Sequence, residues 1–433
     1  MKCRRINAQK SDLAKICEDL GLRGKMDLGP ILETVSAILS DVRENNDQAV
    51  RKYTLQFDKA DIPPESIRVT PDEIDRAVRE TDPELLVVLR KSAANISAFH
   101  EKQREAGFTM DVAQGSRIGI IVRPLAVAGI YVPGGTAPLP STVLMNVLPA
   151  KAAGVPRVVL CTPPRADGTI APVILAAAAI AGADEIYKVG GAQAIAAMAY
   201  GTPSIPRVDK VCGPGNIYVN TAKRLVFGQV DIDMFAGPSE ILIIADDTAN
   251  PEFAAADMLS QAEHDKIASA ILLTTSETLA DAVEEAIDRR SGLLARKAIL
   301  EKSVADYCAV VYVPDLESAI DFANELAPEH LELCIRDPEK YIPQIQNAGA
   351  IFIGNYTPEP LGDYFAGPNH TLPTSGTARF FSPLGTGDFI KKMSVLQYNE
   401  ASLRECYQDV ARFAEAEGLT GHAAAIRVRF ERG

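Results

Sequence analysis

The stretch VPRVVLCTPPRADGTIAPVILAAAAIAGADEIYKVGGAQAIAAMAYG, residues 155–201, contains the clearest repeating pattern in the sequence. It opens with a short run of branched residues, continues through an alanine-rich segment from about Ala171, and repeats the pattern with EIYKVGG and AQAIAAMAYG. Branched runs that stop at Pro or Gly predict buried strands, and the alanine-rich segments between them predict helices. This alternation predicts a parallel sheet with helices on both faces.

The alternation continues on both sides of this stretch. Strands begin at Arg117 with RIGIIVRP and VAGIYVPGG, and DKVCGPG, NIYVNTAKRLV and SEILIIAD follow residue 201. A helix that starts at Pro251 leads to SAILLTTS, AVVYVPD, a helix over Leu316–Leu326, HLELCI and AIFIGN. The length of this pattern predicts two doubly wound units.

The two ends of the chain have a helical pattern instead. A stripe in the first hundred residues has helical spacing, and the chain is again predicted helical from about Leu384. The stripe consists of Ile31, Val35, Ile38, Leu39 and Val42. We therefore predict an α/β fold of two Rossmann-like parallel-sheet domains with small helical N- and C-terminal extensions. The predicted parts are an extension over 1–25, a first domain over 26–130 plus 246–384, a second over 131–245, and a tail over 385–433.

The composition limits the classes of function. A chain of 433 residues with 47% apolar and 23% charged residues is expected to form more than one globular domain. The formal net charge of -13 argues against nucleic acid or an anionic membrane as a partner. A small-molecule substrate fits this balance better.

The sequence also indicates the compartment. The basic N-terminus is not followed by an apolar run, so it is not typical of a secretory signal. The apolar run over Ile170–Ala183 is shorter than the roughly 20 residues that a spanning helix needs. The seven cysteines are scattered and form no C-x-x-C pair. These features predict a reducing, cytoplasmic location.

The loop NYTPEPLGDYFAGPNHTLPTSGTARFF, residues 355–381, is the most distinctive candidate for a site. Its glycines and prolines argue against a regular helix or strand, so Asp363 and His370 are expected on a loop of locally fixed shape. Loops of this kind often carry function, although a surface loop with a solvated Asp and His would have the same composition.

The five histidines differ in their surroundings. His100 lies in the helical SAFHEKQ, for which we expect a surface position. The other four lie in polar contexts: SQAEH at His264, APEH at His330, GPNH at His370 and LTGH at His422.

Two of these contexts suggest chemistry. Gln261 and His264 are three positions apart at a helix end, so they can converge on one ion, although a histidine that only caps the helix is the commoner case. Glu329 and His330 form an adjacent acid and imidazole just before a strand, and the pair could divide base duties between water and substrate. Either motif alone is weak evidence.

Glycine-rich turns suggest a nucleotide. Gly213–Tyr218 follows a strand and opens a helix but lacks the third glycine of the dinucleotide fingerprint. Tyr131–Gly135 and Gly190–Gln193 also lie at strand ends. Together they are compatible with a nucleotide that lies across several strands, and tight turns without a ligand would look the same.

Eight motifs in sequence order resemble the histidinol dehydrogenase family, over about residue 30 to the end. They are YVPGGTAPLPSTVLMN, KVGGAQAIAAMAYGT, CGPGNIYVNTAK, FAGPSEILIIAD, SQAEH, APEHLEL, GDYFAGPNHTLPTSGTARF and EGLTGH. The segment SPLGTGDF, residues 382–389, departs from the expected pattern between SPL and DF.

The resemblance implies an aldehyde-dehydrogenase-like fold and a specific activity. That activity is the oxidation of L-histidinol through L-histidinal to L-histidine with two NAD, the last step of histidine biosynthesis. The resemblance also implies a cytoplasmic homodimer with one zinc per subunit. In the family the tail histidine reaches the partner's site, so the site would be shared between subunits.

The resemblance also implies roles for individual residues. The zinc ligands would be Gln261, His264, Asp363 and His422. The catalytic pair would be Glu329 and His330. The substrate contacts would be these six residues together with Ser239, His370 and Glu417. The NAD contacts would be Tyr131, Gln193 and Asn216.

Four alternatives remain open on the residues alone. An aldehyde-dehydrogenase type of thiohemiacetal route would use Cys161 or Cys212 as nucleophile. The same scaffold could oxidise another amino alcohol or a diol. A zinc hydrolase would use the same ligands to activate water, and a non-catalytic zinc module is the fourth alternative.

Overall fold

The structure, a computed structural model, describes residues 1–21, 29–134, 138–235 and 237–431. By its internal contacts the chain divides into two compact units. The first comprises Met1–Gln103 and Leu125–Phe389, and the second comprises Arg104–Pro124 and Ile390–Gly433. None of the described helices is long and apolar enough to cross a membrane.

The secondary structure is numbered in chain order. The helices are α1 (Leu13–Gly21), α2 (Gly29–Asp58), α3 (Pro71–Glu80), α4 (Pro83–Glu101), α5 (Pro140–Ala152), α6 (Pro172–Ala181), α7 (Gly191–Tyr200), α8 (Ile217–Val226), α9 (Pro251–Ala262), α10 (Glu277–Ser291), α11 (Lys297–Tyr307), α12 (Leu316–Leu326), α13 (Glu359–Tyr364), α14 (Glu400–Ala416) and α15 (Thr420–Arg427). The strands are β1 (Arg4–Asn7), β2 (Phe108–Asp111), β3 (Arg117–Pro124), β4 (Val127–Tyr131), β5 (Arg157–Thr162), β6 (Glu185–Lys188), β7 (Lys210–Cys212), β8 (Asp231–Ile232), β9 (Glu240–Ala245), β10 (Ser269–Thr274), β11 (Ala309–Tyr312), β12 (His330–Cys334), β13 (Ala350–Ile353) and β14 (Ile390–Gln397).

The first unit contains two parallel sheets, which confirms the predicted α/β class. The larger sheet has the order β1-β11-β10-β9-β12-β13, and the smaller has the order β6-β5-β4-β7-β8. Every strand pair in both sheets is parallel. The strand order reverses between β9 and β12 in the larger sheet and between β4 and β7 in the smaller sheet. Such switch points are where doubly wound folds bind ligands.

Buried side chains cover both faces of each sheet. In β5, Val159 and Cys161 join the core on one face, and Val158 and Leu160 join the core on the other. The strands of the larger sheet alternate in the same way. This alternation follows from the two-residue period of a strand, and two covered faces explain the continuous apolar runs in the sequence.

Three segments near the predicted boundaries differ from the sequence-based expectation. Residues 4–7, expected in a helical extension, form β1 and pair with β11. β4 belongs to the smaller sheet and β9 to the larger one. The predicted boundaries at 130/131 and 245/246 instead assigned most of β4 to the domain of the larger sheet and β9 to the domain of the smaller sheet. The Pro and Gly signals that set these boundaries follow the strands and do not show which sheet a strand enters.

Helix α2 covers one face of the smaller sheet, whereas Leu13, Cys17 and Leu20 of α1 join the core of the larger sheet. Val35, Ile38 and Val42 of α2 share a core cluster with Val159 and Tyr131, although the predicted domains grouped residues 26–130 with the other sheet. An amphipathic stripe identifies the buried face of a helix but not the sheet that it covers. α2 is interrupted at Asn46, where φ is 52°.

The second unit contains an antiparallel sheet that the sequence analysis did not predict. Its strand order is β14-β3-β2, and β14 lies within the tail that was expected to be helical. All but one of the residues of β14 are exposed, so the strand lacks the apolar run that marked the buried strands. The helical part of the tail is confirmed by α14 and α15.

Candidate functional site

The predicted catalytic pair lies at the amino edge of the larger sheet. His330 is the first residue of β12 and is paired in register with Ile241 of β9, and Glu329 immediately precedes it. Ligands of open α/β sheets usually bind beyond the carboxyl ends of the strands. Here α9 and α13 bring the chain back along the sheet, so their C-terminal ends contribute to the opposite edge.

Glu240 connects the pair to the neighbouring strand. Its backbone N–H donates a hydrogen bond to Glu329 Oε2 at 2.9 Å, and its side-chain Oε1 accepts one from the Glu329 backbone N–H at 3.2 Å. His330 Nδ1 lies 2.9 Å from the Glu240 backbone oxygen. A carbonyl oxygen only accepts, so this contact places the proton on Nδ1 and leaves Nε2 as the basic nitrogen of the ring.

The basic nitrogen faces two carboxyl groups. His330 Nε2 lies 3.9 Å from Asp363 Oδ1 and 4.0 Å from Glu359 Oε1, and it makes no hydrogen bond within the described part of the chain. Burial lowers the pKa of His330 to about 4, although the Asp363 charge acts in the opposite direction. The imidazole is therefore neutral at pH 7, with a pKa below the ordinary value of about 6.5 that the sequence suggests.

Three side chains near this nitrogen form a candidate metal centre. The ligand atoms of His264, Glu359 and Asp363 all lie within 4.8 Å of one another. Glu359 is buried, and burial, followed by the Asp363 charge, raises its pKa to about 9. The structure thus brings together two of the four predicted ligands, His264 and Asp363.

Glu359 was not among the predicted site residues. It lies four positions before Asp363 on α13, a spacing that places both carboxyl groups on one helical face. The motif E-P-L-G-D has this spacing, but the glycines and prolines of the loop, Gly362 among them, argue against a helix in the sequence analysis. That expectation was wrong because Gly362 fits against Phe352, where an added Cβ would lie 2.8 Å from a ring carbon.

Gln261, the third predicted ligand, lies on the last turn of α9. Its side chain is fully buried, and neither the amide oxygen nor the amide nitrogen has a hydrogen-bond partner among the described residues. Buried amides are normally hydrogen-bonded, so this side chain lacks the partner that its burial requires. The neighbouring His264 is exposed and donates its backbone N–H to the Gln261 backbone oxygen at 3.2 Å.

Two predicted substrate contacts lie beside these groups. His370 Nδ1 donates to the backbone oxygen of Asp363 at 3.1 Å, and burial lowers the pKa of His370. Ser239 immediately precedes Glu240, and its backbone oxygen accepts from the backbone N–H of Ser269 at 3.1 Å. Both contacts hold the local backbone at the amino edge of the sheet.

The remaining two site residues, Glu417 and His422, lie in the second unit. Glu417 caps the C-terminal end of α14, His422 lies on α15, and both are exposed. The roles implied for them by the family resemblance stay predictions.

The predicted nucleotide-binding residues lie at the carboxyl ends of the smaller sheet, where its strand order reverses. Tyr131 ends β4, and its hydroxyl accepts from the Gly191 backbone N–H at 3.1 Å. Burial raises the pKa of Tyr131 to about 12. Gln193 is fully buried, and no described residue hydrogen-bonds its side-chain amide.

The third of these residues, Asn216, caps α8. Its side-chain oxygen accepts from the backbone N–H groups of Tyr218 and Val219, at 3.0 and 3.1 Å. Asparagine at an N-cap stabilises the first helical turn. The end of the Tyr131–Gly135 turn lies outside the described residues.

A buried ion pair fixes the turn that follows β7. Lys223 and Asp233 contact each other, and each side chain is only 1% exposed. Lys223 Nζ donates to the Gly213 backbone oxygen at 3.0 Å, and the Gly213 N–H donates to Asp233 Oδ2 at 2.7 Å. Gly213 has a φ of +118°, and an added Cβ would lie 2.0 Å from the Tyr131 backbone oxygen.

Removing the cation should destabilise this turn strongly. We expect Lys223→Met to lower the free energy of unfolding by about 3 to 5 kcal/mol because the Asp233 charge stays buried without its partner. The measurement is urea unfolding of the purified protein. Lys302→Met, which breaks the exposed pair with Asp306, is the control and should leave the midpoint unchanged. Equal midpoints for the two variants would contradict this account.

The two cysteines considered as nucleophiles are poorly placed for that role. Cys161 and Cys212 are both fully buried, and burial raises the pKa of each thiol well above its ordinary value. A thiolate is the reactive form, so neither side chain suits a thiohemiacetal route.

The fold and the site together define an α/β scaffold in which the Nε2 atom of a buried imidazole faces a cluster of candidate metal ligands. The family model for histidinol dehydrogenase matches residues 22–430. The chain is 50% identical to histidinol dehydrogenase from Clostridium acetobutylicum over 420 residues, which covers 97% of both chains. It is 52% identical over 397 residues to the protein of that name from Listeria monocytogenes, with 92% of both covered.

A solved structure gives the same result. The crystal structure of histidinol dehydrogenase from Elizabethkingia anophelis superposes with a TM-score of 0.93 at 40% identity, covering 99% of this chain and 98% of that one. The chain belongs to the histidinol dehydrogenase family, and it is therefore an oxidoreductase.

Proposed function

We propose that this protein oxidises L-histidinol through L-histidinal to L-histidine with two NAD and one zinc ion per subunit, as the last step of histidine biosynthesis. The observation that carries the proposal is the orientation of His330. Its Nδ1–H donates a hydrogen bond to the Glu240 backbone oxygen, and its Nε2 faces the cluster of His264, Glu359 and Asp363. A proton acceptor thus lies directly beside a candidate metal centre.

The residues present fit a zinc ion. Imidazole and carboxylate groups suit this borderline cation, and the unpartnered amide of Gln261 can supply a further oxygen. His264, Asp363 and Gln261 would hold the ion, with His422 as the fourth predicted ligand. When bound, zinc would orient the imidazole and amino groups of the substrate.

The carboxyl ends of the smaller sheet fit a dinucleotide. Gln193 offers a buried amide without a partner, and the N-terminus of α8 follows the glycine turn directly. Tyr131, Gln193 and Asn216 would contact NAD, which accepts the hydride.

His330 would act as the base in the first oxidation. Hydride leaves an alcohol carbon as the hydroxyl proton is removed, and the neutral Nε2 is available to take that proton. The backbone oxygen of Glu240 holds Nδ1–H and stabilises the charge that then forms on the ring. Burial of His330 and Glu329 limits the access of bulk solvent to the reacting atoms.

Glu329 would act in the second oxidation. The aldehyde must first be hydrated, because hydride has to leave a carbon that carries a second oxygen. Glu329 lies 3.7 Å from His330 Nδ1 and is held by the Glu240 backbone N–H, so its carboxylate can activate the water. As water adds, the protonated His330 would return its proton to the aldehyde oxygen, and the neutral Nε2 would then deprotonate the hydrate.

We further propose that the enzyme is a cytoplasmic homodimer whose site is shared between subunits. The second unit exposes large apolar side chains, including Phe108, Leu396 and Phe413, and an exposed apolar surface favours a protein partner. The exposure of Glu417 and His422 leaves both residues accessible to such a partner.

The test is the amount of NADH formed per L-histidinol consumed at limiting substrate, before and after dialysis against a chelator. We expect two NADH per histidinol, with activity lost on chelation and restored by zinc. One NADH would mean that the aldehyde escapes and that Glu329 does not act as proposed. No NADH would favour another amino alcohol or a diol, and hydrolysis without nicotinamide would favour the zinc hydrolase.

A further inference from the structure

His100 is buried, not exposed as its sequence context predicts. It lies at the end of α4 with 0% exposure, and burial lowers its pKa, so the ring is neutral. Its Nδ1 lies 2.7 Å from Gln103 Oε1. An amide oxygen only accepts, so Nδ1 carries the proton and Nε2 is the acceptor.

The acceptor nitrogen faces Asn369, the residue before His370. Asn369 Nδ2 lies 3.4 Å from His100 Nε2 and donates to the Met145 backbone oxygen at 2.6 Å. Asn369 Oδ1 accepts from the Thr371 backbone N–H at 2.8 Å. Both ends of the amide are thus engaged, and the backbone on either side of His370 is held.

Two further side chains of α4 hold the segment between Asp363 and His370. Ser92 Oγ donates to the Tyr364 backbone oxygen at 2.6 Å, and Asn95 Nδ2 donates to the Phe365 backbone oxygen at 2.9 Å. Gly367 packs so closely that an added Cβ would lie 2.9 Å from the Asn95 backbone oxygen. At about 100° of rotation per residue, Asn95 and His100 lie on either side of Ser92, about 60° and 80° away from it around the helix.

Gln103, the partner of His100, is held by the segment that departs from the family pattern. Thr386 Oγ1 donates to the Gln103 backbone oxygen at 2.8 Å, and the Thr386 backbone N–H lies 3.3 Å from Gln103 Oε1. A Cβ on Gly385 would lie 2.8 Å from that same oxygen. Gly385 and Thr386 therefore hold the Gln103 side-chain amide with its oxygen toward His100. This orientation fixes the tautomer of His100.

We propose that His100 is a positioning residue, which acts through Asn369 to fix the loop that presents Asp363 and His370 to substrate and metal. The proposal rests on the proposed function for what the loop does, but the positioning itself can be measured without turnover. The proposal predicts that the loop is held in place by the hydrogen-bond acceptor at His100 Nε2 and not by the volume of the ring.

The test compares His100→Leu, which removes the acceptor, with His100→Gln, whose amide oxygen can replace Nε2. We expect His100→Leu to raise KM for L-histidinol roughly tenfold with KM for NAD unchanged. Amide hydrogen exchange in a peptide spanning 364–373 should accelerate by a similar factor, and His100→Gln should restore both quantities. Ser303→Ala is the control, because it removes a buried hydrogen bond from α11 to the Ala268 backbone oxygen, a bond that does not involve residues 363–373.

Two outcomes would overturn the proposal. One is a folded His100→Leu variant with wild-type loop exchange and wild-type KM. The other is an equal defect in His100→Gln and His100→Leu, which would indicate a packing role for the ring. If the wild-type protein does not oxidise histidinol but loop exchange still depends on the acceptor, the positioning role stands and the proposed function fails.

Discussion

Replacing Asp363 with asparagine is expected to remove the metal and to lower kcat/KM for L-histidinol by more than about 100-fold. Even changes in groups that only support metal ligands cost about 10- to 100-fold, and this change deletes the charge of a proposed ligand. Asp363 belongs to the cluster with His264 and Glu359, and its carboxylate lies 3.9 Å from His330 Nε2. Asparagine keeps the size of the side chain, so packing on α13 should be preserved.

The measurement is the zinc content of Asp363→Asn after dialysis, together with competition against a chromogenic chelator. Asp306→Asn is the control, because Asp306 is an exposed acid paired only with Lys302 among the described residues. Glu359→Gln in the same assay shows whether the third member of the cluster is a ligand or a neutral neighbour. Full retention of zinc by Asp363→Asn would exclude Asp363 as a ligand.

Substitution of the two proposed bases, His330 and Glu329, is expected to have the second large effect on activity. His330→Asn is expected to lower the rate of both oxidations by about 100- to 10,000-fold, the range that general base catalysis contributes. Glu329→Gln is expected to slow the oxidation of L-histidinal much more than the oxidation of L-histidinol. The reason is that only the second step needs a water molecule to be activated.

Single-turnover measurements with L-histidinol and with supplied L-histidinal separate the two steps. Thermal unfolding of each variant is needed as a control, because Glu329 also accepts a hydrogen bond from the Glu240 backbone N–H. Equal slowing of both oxidations in Glu329→Gln would refute the division of labour between the two residues.

Much of the fold could be predicted from local pattern. The helix over Leu316–Leu326 was predicted to the residue, and the apolar runs identified the strands of both parallel sheets except β1 and the two-residue β8. These signals are strong because both faces of each strand are buried. The exposed strand β14 and the short strand β1 lack such runs, and their partners lie about 270 to 310 residues away in the chain.

The site was predicted unevenly for a related reason. His264, Asp363, Glu329 and His330 lie within motifs that were recognisable together, and the structure brings them to one edge of the larger sheet. Glu359 and His100 were missed because their significance depends on contacts made by folding. An E-x-x-x-D spacing counts only if the segment is helical, and a histidine in a polar helix gives no sign that a loop will cover it.

The bond between His330 and the Glu240 backbone oxygen has a consequence for mutation. The proton stays on Nδ1 because Nδ1–H donates a hydrogen bond to a backbone oxygen and not to a side chain. No substitution at position 240 can therefore remove this acceptor. Substitutions at position 240 can change the charge near Glu329 and His330, while His330 Nε2 remains the unprotonated ring nitrogen. Directed evolution of this enzyme can therefore explore position 240 without changing the identity of the proton acceptor, provided that β9 keeps its register with β12.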